Sequence, residues 1–260
     1  MTFTFISGAT GGIGKAFAKE CANKGYNLFL TGRSYEKLSK LREQLADYNI
    51  KIEIFACDLT DSVKRQEMAN FIEQKQLYFD RIINVAGVDI QKPFCEYTEQ
   101  KLLFQLRVNV ESTIALTYFL LKRRKENTEI ITISSMSGVS PMPYFAVYSA
   151  SKGMLISFFT SLHYELKNEG VKVTTILPGG VFTREDIILD IKKQGIWGKL
   201  SAKSPEFVVK KSLRAVKKNK VKYIPGFFNK LLNFIIKITP KKIVLAFIAK
   251  RWKDIRKDAF

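Results

Sequence analysis

An apolar run, Thr2-Phe3-Thr4-Phe5-Ile6-Ser7, passes directly into Gly8-Ala9-Thr10-Gly11-Gly12-Ile13-Gly14, and a helix-period segment follows as far as Gly25. Few folds can use such a start. Glycines let a backbone approach a pyrophosphate closely, and the helix behind them offers unpaired N–H groups and the positive end of its dipole. Strand, glycine-rich turn and helix together make the phosphate-binding unit of a doubly wound sheet. The spacing is Gly8-x-x-x-Gly12-x-Gly14 rather than the usual G-x-G-x-x-G, and it also reads as Gly8-x-x-Gly11-x-x-Gly14.

The rest of the chain repeats the alternation. Strands are expected at 26–32, 51–58, 81–87, 129–134, 171–177 and 221–226, and helices at 35–48, 61–75, 98–123, 148–168 and 204–220, the last opened by Ser204-Pro205-Glu206. This order predicts an α/β, Rossmann-type doubly wound parallel sheet of about seven strands with helices on both faces. The second strand ends in Thr31-Gly32-Arg33-Ser34, where NAD-binding folds place a carboxylate for the ribose 2′-hydroxyl. A carboxylate would repel a 2′-phosphate, whereas arginine binds one through charge-assisted, bidentate hydrogen bonds. NADP(H) is therefore expected over NAD(H), with Arg33 as the main contact, Ser34 as a donor and Lys15 as a weaker candidate. Asp58-Leu59, at the end of the third strand, suits the adenine.

Ile133–Lys152 carries the reactive groups: a Ser134-Ser135 pair, a Pro-rich loop, then Tyr148 and Lys152. On a helix, positions four apart share a face. A fixed ammonium favours the phenolate, which predicts a tyrosine pKa below its ordinary value of about 10. That is a general acid/base site without histidine or carboxylate.

With these residues in view, the chain resembles the classical short-chain dehydrogenases/reductases over roughly residues 2–225. Six motifs match in order: the Gly8/Gly12/Gly14 loop, Asn84-Val-Ala-Gly87, Asn109, Ser135, Tyr148-x-x-x-Lys152 and Pro178-Gly179. The alternative glycine reading belongs to the extended branch; the short chain, the Asn84–Gly87 segment and Pro178-Gly179 favour the classical one. Ser135 precedes Tyr148 by 13 positions, the family's spacing, and is therefore the catalytic serine of the pair. Ser7, Val85 and Ser112 depart from the family's usual Thr, Asn and Gly, and none removes a reacting group. The resemblance implies Asn109, Ser135, Tyr148 and Lys152 as catalytic, with Asn109 holding a water that links Lys152 to solvent. It implies a cofactor site of Gly8, Thr10, Gly11, Gly12, Ile13, Gly14, Arg33, Ser34, Asp58, Leu59, Asn84, Ala86, Gly87, Tyr148, Lys152, Pro178, Gly179, Val181 and Thr183. The activity implied is interconversion of a ketone and a secondary alcohol. The alternative is a non-catalytic NADP(H)-binding regulator or scaffold on a membrane, although such proteins usually lose the Tyr or Lys that stand here.

Residues 180–203 are expected to form a substrate flap. Its apolar side chains, with Phe145 and Trp197 as wall residues, suggest a lipid-, steroid- or acyl-like substrate. Charge sets the end of the chain apart: residues 1–191 carry 23 Lys/Arg against 21 Asp/Glu, whereas residues 192–260 carry 20 against 3. Residues 226–260 are expected as a basic, amphipathic helical extension beyond a 1–225 catalytic domain. Lysines beside apolar residues, and Trp252 read as interfacial, point to an anionic membrane surface. Packing over the substrate cleft or an oligomer interface are the alternatives, a homo-oligomer (dimer or tetramer) is expected, and nucleic acid is disfavoured. Cys21, Cys57 and Cys95 show no disulfide or metal spacing, no leader or spanning run is evident, and a cytoplasmic protein, peripheral at the inner membrane surface, is expected. His163, the one histidine, is read as structural.

Overall fold

The computed structural model describes residues 1–183, 198 and 200–254. The elements run β1 (Thr2–Ile6), α1 (Gly12–Asn23), β2 (Leu28–Gly32), α2 (Tyr35–Gln44), β3 (Ile52–Ala56), α3 (Ser62–Gln74) and β4 (Tyr78–Asn84). Next come α4 (Glu99–Leu106), α5 (Ser112–Lys122), β5 (Arg124–Ile133), α6 (Ala146–Glu165), β6 (Lys172–Ile176), α7 (Pro205–Lys217) and β7 (Lys222–Tyr223). Two further helices, α8 (Phe227–Ile238) and α9 (Lys241–Trp252), follow the sheet.

All seven strands are parallel, in the order β3-β2-β1-β4-β5-β6-β7. This is the doubly wound sheet with a C-terminal helical extension that the sequence implies. The strand order reverses between β1 and β4, and open α/β sheets bind ligands outside the strand ends at such a point.

Alternation along buried strands builds a core on each face. Ile6, Leu30, Ile83, Ile131 and Ile176 meet Phe17 of α1, Leu38 of α2 and Val208 of α7 on one side. Phe3, Phe5, Phe29, Phe79, Ile130 and Val173 meet Met68 of α3, Leu116 of α5 and Phe159 of α6 on the other. There Phe5 stacks on Phe29 at 5.6 Å, and Phe79 stands edge-on to both. His163 is a core residue: its Nδ1–H donates to the Val173 carbonyl at 2.8 Å. Capping follows the sequence, with Ser204 accepting from Phe207 N ahead of Pro205.

The helix expected over 98–123 runs without a break from Glu99 to Lys122, but it widens into a π-turn at Arg107–Glu111 between α4 and α5. Widened turns of this kind recur at functional sites.

Midway along the strands, Arg81 donates from Nε and Nη2 to Glu129 Oε2 at 2.9 and 2.8 Å. Its Nη1 reaches Thr4 Oγ1 at 3.1 Å, and the guanidinium lies 4.3 Å from the Tyr26 ring centroid. The pair thus joins β1, β4 and β5. Removing one partner strands a buried charge. Arg81→Met is expected to cost about 3–5 kcal/mol in urea unfolding, with most of the loss recovered in Arg81→Met/Glu129→Leu. A double variant no more stable than the single one would show that the pair itself, not the stranded charge, supplies the stability.

Candidate active site

The cradle forms where β1 and β4 end. The Ser7 hydroxyl accepts from Val85 N and Ala86 N at 3.1 and 3.3 Å, tying the two strand ends together. Gly8 then turns with φ of +63°, and a Cβ there would stand 2.9 Å from the Ala86 backbone. A Cβ on Gly14 would fall on the Gly8 carbonyl oxygen, and one on Gly12 would lie 2.7 Å from Thr183 Cβ. Gly11 caps α1 with no side chain, so no side-chain oxygen takes the helix's first N–H groups. This side-chain-free helix start fits a pyrophosphate.

Thr10 lies against Gly32, its Oγ1 3.2 Å from where a Cβ would be, which brings the Arg33 turn beside the loop. Ser34 is already engaged there: it accepts from Lys37 N and donates to Glu36 Oε2 at 2.7 Å. That hydrogen bond holds the Glu36 carboxyl below its usual range. Asp58 Oδ1 accepts from Thr60 N and Oγ1, and Leu59 is buried. Asn84 turns inward, donating to Thr117 and Thr132 hydroxyls, so its side chain fixes the strand end. Ile13 packs on the core beneath the loop, Val181 bridges to Lys203, and Pro178 O accepts from Met136 N. Gly179 lies under Asn229 of α8, which a Cβ would meet at 2.9 Å. The extension is therefore seated against the site's own backbone.

The reactive cluster is built by β5 and α6. Ser134 Oγ donates to the Lys152 carbonyl at 2.8 Å, and a Cβ on Gly138 would lie 2.6 Å from the Lys152 carbonyl carbon. The short turn Met136–Gly138 is thus pressed onto α6. Ser134 positions the helix, which leaves Ser135 beside the phenol: its hydroxyl hydrogen-bonds Tyr148 and accepts from Ser137 N at 3.1 Å. Lys152 is 4% exposed, donates to Ile133 O at 3.1 Å, and stands 5.6 Å from the Tyr148 ring centroid. Asn109, wholly buried in the π-turn, accepts from Val88 N at 2.8 Å. Its amide donates to Val88 O at 2.9 Å and Ser151 Oγ at 3.0 Å. Both amide hydrogens are spent on this clamp rather than left for water. Gly87 closes the set, since a Cβ would lie 3.2 Å from Lys152 Nζ and 3.3 Å from Asn109 Oδ1.

The expected drop in the tyrosine pKa does not occur. Burial pushes the Tyr148 phenol up, the Asp89 carboxylate adds to this, and only the Ser135 hydrogen bond opposes it. Lys152 directs its ammonium to Ile133 O, so desolvation outweighs its charge at the phenol. A phenol held protonated is a proton donor. Burial also pulls Lys152 down to about 8, with Asp89 opposing. Asp89 was not singled out by the sequence, although a carboxylate two residues past the Asn84–Gly87 strand end was a usable signal; the same holds for Ser151, between Tyr148 and Lys152.

Phe145 stacks on Tyr148 at 4.4 Å, and Trp252 of α9 stacks on Phe145 at 6.2 Å. Trp252 is half-buried and packs at the cleft, where the alternative reading of the tail places it. Next to the stack is a cavity of about 230 Å³ lined by Phe94, Tyr97, Tyr144, Val147 and Ala249 among others. Trp197 and the flap from 184 to 197 lie outside the described residues.

Burial holds Lys152 at about 8 in the folded chain against an ordinary 10.5, so the unfolded chain binds more protons between these values. Stability must then rise with pH in that window. From pH 8 to 10 wild type is expected to gain about 2 kcal/mol relative to Lys152→Met, read by urea unfolding at each pH. Parallel curves for the two proteins would contradict the buried-cation account.

A sequence model described as short chain dehydrogenase matches residues 2–188. The chain is 33% identical over 191 residues to a very-long-chain 3-oxoacyl-CoA reductase of Vanderwaltozyma polyspora, 67% of this chain and 54% of that protein. It is 33% identical over 187 residues to the inactive hydroxysteroid dehydrogenase-like protein 1 of Homo sapiens, 68% of this chain and 55% of that one. The matches thus span about half the length of these relatives. A solved 7beta-hydroxysteroid dehydrogenase superposes with a TM-score of 0.86 at 22% identity, over 95% of this chain and 96% of that one, and so shares the fold. Sequence match, sheet order and glycine loop agree: the chain belongs to the classical short-chain dehydrogenase/reductase family.

Proposed function

We propose that the protein is an NADP(H)-dependent oxidoreductase that interconverts a hydrophobic ketone and its secondary alcohol. The observation that carries this reading is the Ser135–Tyr148–Lys152 cluster, with Ser135 and Lys152 buried and Tyr148 half-buried, beside a glycine cradle and with aromatic rings over it. Oxidoreductase chemistry goes with the family; the cofactor and substrate class are this reading's own.

Gly8, Gly11, Gly12 and Gly14 would hold the pyrophosphate, Arg33 the 2′-phosphate, and Lys152 the nicotinamide ribose. Ala86, Gly87 and Thr183 would border the nicotinamide. Once bound, such a cofactor supplies or accepts the hydride. Tyr148 holds the proton that goes to the carbonyl oxygen in reduction, and it takes that proton back in oxidation. Ser135 hydrogen-bonds the same oxygen as charge develops on it, where water is excluded and the bond is worth most. Asn109 and Ser134 position the two reacting side chains. Phe145, with Trp252 behind it, gives the site an apolar wall. The names of two relatives, a very-long-chain 3-oxoacyl-CoA reductase and a hydroxysteroid dehydrogenase-like protein, support a greasy substrate.

A non-catalytic regulator is the second reading, favoured by a relative whose name calls it inactive. Retention of both Tyr148 and Lys152 speaks for the enzyme.

NADPH oxidation against hydrophobic ketones and β-ketoacyl thioesters separates the two. Tyr148→Phe is expected to lower kcat by about 10²–10⁴-fold while NADPH still binds by calorimetry. Arg33→Ala is expected to raise KM for NADPH on the order of ten-fold and leave KM for NADH unchanged. Undiminished turnover by Tyr148→Phe overturns the proton-donor assignment; equal effects on both cofactors overturn that of Arg33.

A further inference from the structure

Helix α8 leaves more apolar surface in solvent than a helix that only helps this chain fold would. Phe227, Leu231, Phe234, Ile235 and Ile238 fall on one stripe, and all are exposed, Phe227 at 82% and Phe234 at 58%. The side turned inward sets half-buried Phe228, Leu232 and Ile236 beside Asn229. Asn229 is buried at 1%, donates to Ser201 O and Pro225 O, and leaves Oδ1 without a partner. A helix that leaves five large apolar side chains together in solvent offers that stripe to something outside the chain. Helix α9 continues the pattern, with Ile243 and Phe247 exposed at 60% and 62%. Its other side, through Ala249 and Trp252, faces the cavity and the Phe145 ring.

Charge identifies the occupant. Among the described residues from 227 on, Lys230, Lys237, Lys241, Lys242, Lys250, Arg251 and Lys253 stand against Asp254 alone. An apolar stripe rimmed almost wholly by cations complements a surface that is apolar below and anionic above. A second copy of the face would bring like charges together. No helix among the described residues is long and apolar enough to cross a membrane.

We infer that α8 and α9 form a docking face for an anionic lipid bilayer, bound in the plane of its surface. Because α9 also walls the cavity beside Phe145, the docked protein presents its cleft next to the lipid, where a hydrophobic substrate concentrates. The docking goes beyond the proposed function and stands whether or not the site turns over; only the clause on substrate entry rests on it.

The test is cosedimentation of the full chain with phosphatidylcholine vesicles, with and without phosphatidylglycerol, at low and high salt. Wild type is expected to partition on the order of ten-fold more onto the anionic vesicles, and high salt to reverse this. Phe227→Ser/Phe234→Ser/Phe247→Ser and Lys241→Glu/Lys242→Glu are each expected to lose binding while melting at the wild-type temperature, since all five side chains are exposed. NADPH oxidation with a water-soluble ketone should be unchanged in both, so failure of docking and failure of the enzyme reading remain distinct. The inference is overturned if wild type ignores both vesicles, or if the variants bind like wild type. It is equally overturned if light scattering shows a dimer that the phenylalanine variant splits and no vesicle binding, which would assign the face to a second copy.

Discussion

The site depends on one side chain, Asn109. Its Oδ1 and Nδ2 grip the two backbone groups of Val88, and its second amide hydrogen reaches Ser151, on the helical turn between Tyr148 and Lys152. Ser151 in turn donates to the Tyr148 carbonyl at 2.7 Å. Three elements that share no local sequence are thereby fixed: the loop after β4, the π-turn and α6. An asparagine suits this work because it offers two donors and an acceptor in one rigid plane. The π-turn widens the helix where this amide must face inward. Hydrogen bonds buried this completely are costly to leave unmade.

The chemistry is assembled against stability. Lys152 is a buried cation whose ammonium donates to the Ile133 carbonyl, and Tyr144 takes φ of +63° in the loop before α6. Each costs folding free energy, and each lies at the C-terminal strand ends. The middle of the sheet carries the Arg81–Glu129 pair and the phenylalanine cluster.

Much of this was legible in the sequence, and the remainder has physical reasons for its silence. Glycine at 8, 12 and 14 records close backbone approaches, so the cradle could be read directly. Helical periodicity put Tyr148 and Lys152 on one face, and the spacing of the family it resembles picked Ser135, just past the end of β5. The π-turn was hidden because its residues, Arg107–Glu111, keep a helical pattern. The direction of the Tyr148 shift was missed because spacing reports a neighbouring charge and not the burial that outweighs it. Trp252 was read as interfacial because a tryptophan among lysines looks the same in sequence whether it meets lipid or Phe145. The stripe on α8 was visible, but which side faced inward was a tertiary fact, settled by Asn229 beneath Gly179.

What unites cradle, clamp and aromatic wall is a single claim, that a hydride crosses between a nicotinamide and a carbonyl carbon at Tyr148. The most direct measurement is mass spectrometry of the alcohol formed from a hydrophobic ketone with NADPH dideuterated at C4 of the nicotinamide. The account predicts one deuterium on the carbinol carbon of every product molecule. Product without deuterium, or labelled NADPH recovered unchanged beside every ketone offered, would contradict it.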